Sequence, residues 1–126
     1  MATAPLELVT GTGRVLLVDD DPDVRATVRL MLEILGYDVV EADGGAAAVA
    51  LVGGGDVPDA VMLDLHMPGM DGEETLARLH ALRPGLPVVV CAGAPPSRGL
   101  PVAGFLPKPF TVEEVGRCVA KALGRQ

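Results

Sequence analysis

Aromatic side chains are nearly missing from this chain. Tyr37, Phe105 and Phe110 are the only three and there is no tryptophan, so the core has to be filled with Val, Leu, Ala and Met. Cysteine is almost as scarce. Cys91 and Cys118 stand in apolar surroundings, one in a strand-like and one in a helix-like run, and read as two buried, reduced core thiols. Basic residues are in the minority, 10 Lys and Arg against 17 Asp and Glu, for a formal net charge of −7. That balance argues against a general affinity for nucleic acid or an anionic membrane. No apolar run approaches the ~20 residues needed to cross a bilayer, and the first residues lack the basic and apolar regions of a signal peptide. The expected location is therefore the cytoplasm, with no membrane contact.

What is present is a regular alternation of apolar runs and amphipathic stretches within 126 residues, a length that suits one domain burying roughly two-thirds of its unfolded surface. Residues 1–13 are small, polar and Gly/Thr-rich and read as a flexible tail or linker; residues 14–124 form the domain. Gly11-Thr-Gly13 precedes a strand, whereas phosphate loops follow one. Continuous apolar runs at 14–19, 60–63, 86–91 and 103–106, with a shorter one at Val39 and Val40, predict five strands, most of them buried on both faces. Between them lie predicted helices. One opens at Asp21 and Pro22 with a stripe of Val24, Val28, Met31, Leu32 and Leu35 and stops at Gly36. An Ala-rich helix runs over 45–52. A third is announced by the capping-box spacing of Asp71 and Glu74, with Leu76, Leu79 and Leu82 as its apolar positions, and a last one by Thr111 and Glu114, burying Val115, Cys118, Val119 and Ala122. Parallel strands joined by crossover helices give a doubly wound α/β fold. With five strands in the flavodoxin-like order 2-1-3-4-5, the first and third become neighbours, and ligands bind beyond their carboxyl ends.

The stretch DAVMLDLHMPGMDG, Asp59 to Gly72, fixes where the chemistry lies. Its apolar run delivers one acid, Asp64, to the rim of the sheet, where an unpartnered charge would cost several kcal/mol. Partners stand at two other strand ends: Asp19, Asp20 and Asp21 after Arg14-Val-Leu-Leu-Val18, and Lys108 after Gly104-Phe-Leu-Pro107. Crowded carboxylates repel unless a cation intervenes. Mg2+ suits them, since it takes oxygen ligands, one or two carboxylates among them, and keeps positions open for water and a phosphate oxygen. Zinc does not fit, because His66 and His80 have no thiolate partner. A nucleophilic carboxylate beside a divalent ion and a lysine suits phosphoryl transfer, with Asp64 as the nucleophile and an acyl phosphate as the product. Lys108 would pair with Asp64 and then with the incoming phosphoryl oxygens.

From Arg14 to Leu123 the sequence resembles the receiver domain of two-component response regulators. The resemblance is carried by LLVDDDPDVR, VMLDLHMPGMDGEE, PVVVCAG and FLPKPF. It implies that Asp64 accepts a phosphoryl group from the phosphohistidine of a histidine kinase or histidine phosphotransfer domain. It implies Mg2+ held by Asp20, Asp64 and the backbone carbonyl of His66, with Asp19 acting through the metal's water shell, and a cis Lys108-Pro109 bond. Donors would dock near Pro22 to Arg29 and Pro109 to Thr111. The domain would be a monomer or weak homodimer that catalyses only its own phosphorylation and dephosphorylation. Ala4 to Gly13, together with Cys91-Ala-Gly93, resembles the receivers of hybrid sensor histidine kinases; a free-standing receiver is the rival reading.

Two departures from the family stand out. Ala92 occupies the place of the usual Ser or Thr, whose hydrogen bond to a charged group is worth ~1.5–3 kcal/mol. The backbone N–H of Gly93 could still bind phosphoryl oxygens, and Ser97 is a further hydroxyl in the loop. GAPPSRGLPVAG, between the fourth and fifth strands, holds too much Pro and Gly for a helix of ~10 residues, so the family's fourth helix is expected to be shortened or missing. Phe105 holds the position of the switch aromatic, but its coupling is expected to weaken without a hydroxyl at 92. The alternative function is a degenerate receiver that docks a protein partner independently of phosphorylation. A hydrolase of the same fold would need a second acid placed to act on an exogenous substrate, and the sequence offers none. His66 is expected to face solvent.

Overall fold

The computed structural model describes residues 8–67, 71–97 and 99–124. The expected tail over 1–7, the turn at Pro68 and Gly69, and Met70 lie outside them. Five strands form one parallel sheet: β1 Arg14–Val18, β2 Asp38–Ala42, β3 Ala60–Asp64, β4 Val88–Ala92 and β5 Gly104–Pro107. Their order is β2-β1-β3-β4-β5, the order expected. The helices are α1 Pro22–Ile34, α2 Gly45–Gly53, α3 Gly72–Leu82 and α4 Val112–Ala122.

Strand alternation divides the core into two layers. Leu16, Val18, Val61, Leu63, Val88 and Val90 meet Ala48 and Val52 of α2 and Leu76 and Leu79 of α3. On the opposite face Val15, Leu17, Met62, Val89, Cys91 and Leu106 meet Val28 and Leu32 of α1 and Val115 and Val119 of α4. The scarce aromatics are packing residues on opposite sides, Phe105 against the first layer and Tyr37 and Phe110 in the second. Both thiols are free, but only Cys91 is fully buried; Cys118 is partly buried against the second layer, which corrects the reading of both as buried.

Helix starts follow local chemistry. Asp21 caps α1 by accepting from the N–H groups of Asp23 and Val24, and Thr111 and Glu114 make the full reciprocal capping box of α4. At α3 the box is half made. Asp71 accepts from the Glu74 N–H at 2.7 Å, while the Glu74 carboxylate turns to Arg78 one helical turn on. Two predicted stripe residues are exposed: Val24, in the first turn of α1, and Leu82, at the end of α3 beside Gly53. The fourth strand begins at Val88 rather than 86, because Leu86 is buried from a turn, its N–H bonded to the Arg83 carbonyl. Between β4 and β5 the described residues hold no helix.

From Leu8 the segment entering β1 packs on the domain. Leu8 lies against the second core layer, and the Gly11 N–H donates to the Leu35 carbonyl at 2.9 Å. Gly36 (φ 103°) stops α1, and any side chain there would strike the Gly11 carbonyl. Among the described residues no helix is long and apolar enough to cross a membrane.

Candidate functional site

Register brings the acids together. Val18 pairs with Leu63 across β1 and β3, so Asp19 and Asp64, one residue further on, stand side by side at the carboxyl edge. Carboxylate oxygens of Asp19, Asp20 and Asp64 all lie within 4.8 Å of one another. Asp19 and Asp64 are buried, only 4% and 6% exposed, while Asp20 faces solvent. Burial pushes the Asp19 carboxyl above its ordinary range. The Asp21 N–H, which donates to Asp19 Oδ1 at 2.9 Å, opposes this, and the charge of Asp64 adds to it. The trio is an all-oxygen donor set with more negative charge than its own hydrogen bonds compensate, and this fits a hard divalent cation such as Mg2+.

Lys108 arrives from the other side. Ala92 of β4 pairs with Pro107 of β5, and the Lys108 N–H continues the ladder to the Ala92 carbonyl at 2.9 Å. Its Nζ donates to Asp64 Oδ1 at 3.1 Å. The His66 N–H donates to the same oxygen at 3.0 Å. Among the described residues the hydrogen bonds to Asp64 fall on Oδ1, and Oδ2 accepts none. Beneath the pair Cys91 is so deeply buried that its thiol is pushed up to about 12, which leaves it no nucleophilic part.

A parallel sheet of order 2-1-3-4-5, with Asp19, Asp20, Asp64 and Lys108 gathered at its rim, can be set beside known proteins. Residues 15–119 match the response regulator receiver domain family. The chain belongs to that family. The response regulator MprA of Mycolicibacterium vanbaalenii is 41% identical over 109 residues, covering 81% of this chain and 46% of that protein. The chain thus spans about half the length of the curated relatives it matches. The receiver domain of the hybrid histidine kinase CckA has a TM-score of 0.76 at 30% identity, covering 88% of this chain and 99% of that one. Chemotaxis protein CheY4 of Vibrio cholerae has a TM-score of 0.80 at 24% identity, covering 89% and 99%, and shares the fold.

Within this receiver the remaining candidates take their places. Ala92 is fully buried. Gly93 is exposed, with open space where a side chain would point. The His66 side chain is exposed, as expected. The Lys108-Pro109 bond is cis. Ser97 turns its hydroxyl to Glu73 Oε2 at 2.8 Å, and its N–H reaches the same oxygen at 3.3 Å. That carboxylate, at the start of α3, therefore holds the loop after β4. Neither this tie nor the hydrogen bonds of Arg25 to the Asp19 carbonyl and to the Glu41 carboxylate, both at 2.8 Å, are assigned from the sequence. Arg25 is legible there only as the residue closing the DDDPDVR run, and Glu41 gives no signal, because its partners come from a different element.

Proposed function

We propose that this receiver, the domain over residues 14–124, accepts a phosphoryl group on Asp64 from the phosphohistidine of a histidine kinase or histidine phosphotransfer domain. One observation carries the reading: Asp64 has Lys108 Nζ at 3.1 Å and the Asp19 and Asp20 carboxylates within 4.8 Å. A carboxylate oxygen of Asp64 attacks phosphorus, the P–N bond breaks, and the imidazole nitrogen leaves with the electron pair. Lys108 moves from the carboxylate to the phosphoryl oxygens, and the backbone N–H of exposed Gly93 joins it. The His66 N–H holds the acid in place throughout. Asp20, Asp64 and the His66 backbone carbonyl would hold Mg2+, with Asp19 acting through its water shell; the ion would supply positive charge against the charge spread over the transferring group.

For the donor, a groove of ≈ 520 Å³ lies between α1 and the turn after β5, lined by Val24, Thr27, Val28, Met31, Lys108 and Phe110. It opens beside the site and accounts for the exposure of Val24. We read the domain as cytoplasmic, a monomer or weak homodimer without nucleic-acid contact, with residues 1–13 as a linker. A parent hybrid histidine kinase is the reading suggested by that linker, with a free-standing receiver as its rival.

A second reading, a docking module independent of phosphorylation, draws on Ala92 and on the Ser97–Glu73 tie, which holds the loop without any phosphoryl group. Incubation with acetyl phosphate and Mg2+, followed by intact mass, separates the two. The acceptor reading predicts one added phosphoryl group, lost with EDTA and in Asp64→Asn. An unchanged mass in the wild type would leave docking.

A further inference from the structure

We propose that Arg25 is a positioning residue for the divalent-metal site, clamping the Asp19-Asp20 peptide so that the acids meet; this rests on the reading that Asp20 and Asp64 bind Mg2+. Arg25 stands one helical turn after the N-cap Asp21, its side chain only 18% exposed. Its Nη1 donates to the backbone carbonyl of Asp19 at 2.8 Å, and its Nε to Glu41 Oε1 at 2.8 Å. The other Glu41 oxygen accepts from Arg29 Nη1. The guanidinium is thus itself held in place from behind by a second strand, β2.

The carbonyl that Arg25 grips belongs to the planar peptide that carries the Asp20 N and Cα, so holding that oxygen restrains where the Asp20 side chain leaves the backbone. Asp19 is restrained elsewhere by its N–H to the Ala42 carbonyl at 3.2 Å and by the Asp21 N–H on its carboxylate at 2.9 Å. Neither bond acts on the Asp19-Asp20 peptide. A planar fork with fixed donor directions can bridge a carbonyl and a carboxylate at once, which a single ammonium does poorly.

Charge and geometry act with opposite signs here, and that makes the role testable. Arg25 is a cation beside a cation site, so if charge were its whole effect, removing it would tighten Mg2+ binding. As a clamp, removing it weakens binding. Mg2+ titrated calorimetrically into the full chain, without phosphodonor, should bind about tenfold more weakly to Arg25→Ala than to the wild type, the scale usual for loss of a group that orients metal ligands. Loss of global stability alone would lower the melting temperature without moving this folded-state affinity. Arg25→Lys, which keeps the charge and most of the stem, should show the same weakening and serves in its place should Arg25→Ala fail to fold. Weaker binding supports the clamp; wild-type or tighter affinity overturns it and leaves the metal site standing. No Mg2+ uptake by the wild type, or full uptake by Asp20→Asn, would overturn the metal reading and the clamp together.

Discussion

At the scale of single residues the site is a balance of incompletely neutralised charge. Asp19 is buried near Asp20 and Asp64, and against this stand one backbone N–H and the more distant Lys108. Its folded pKa is raised, so the folded state holds the extra proton, and stability falls as pH climbs from the ordinary value of 3.8 through that raised value. At neutral pH the ionised group is destabilising. Asp19→Asn, which keeps an oxygen for the Asp21 N–H, should therefore raise the melting temperature of the metal-free protein by a few degrees at pH 7, and should reduce the stabilisation gained on adding Mg2+. A melting temperature that falls in Asp19→Asn would show that favourable contacts of the ionised carboxylate outweigh its burial.

Among the elements, the segment from β4 to β5 is where the proposed response can be tested. A phosphoryl group on Asp64 would meet no hydroxyl at Ala92, and Ser97 is engaged by Glu73. NMR spectra with and without beryllofluoride and Mg2+ should therefore show shifts concentrated around Asp64 and Lys108, with Phe105 little moved and the Ser97–Glu73 tie intact. Ala92→Thr should spread the shifts to Phe105. Large Phe105 shifts already in the wild type would contradict a weakened switch. That the described residues hold no helix here was legible in the prolines and glycines of the sequence, because those residues act through their own backbones. Both capping-box spacings were legible because a cap is a contact between near neighbours in sequence, but only Thr111 and Glu114 complete the reciprocal box. Whether Glu74 reaches back to Asp71 or on to Arg78 depends on competition that spacing does not encode.

Across the whole molecule, the parallel sheet and the meeting of Asp19, Asp20, Asp64 and Lys108 at its rim were legible because apolar runs end on charged residues and alternate with helices, once the order 2-1-3-4-5 is taken. The Arg25–Glu41–Arg29 network was not, since it joins α1 to β2 by side chains alone. That network also gives the fold an acid-labile link. The Arg29 hydrogen bond, with Arg25 in support, holds the Glu41 carboxyl below its ordinary 4.5. Its contribution is present above that value and lost as pH falls through the depressed one. Denaturant titrations from pH 7 to 3 should give a wild-type stability that declines more steeply below about 4.5 than that of Glu41→Gln. Subtracting the two curves removes the opposite-signed effect of Asp19, and parallel curves would mean that the network adds nothing. On the proposed function, Lys108 and a divalent ion flanking Asp64 make its carboxylate a usable nucleophile, and the acyl phosphate that results can be trapped. After acetyl phosphate and Mg2+, borohydride reduction followed by peptide mapping should find homoserine at position 64, and none when Mg2+ is withheld. Homoserine at another aspartate, or at none, would contradict it.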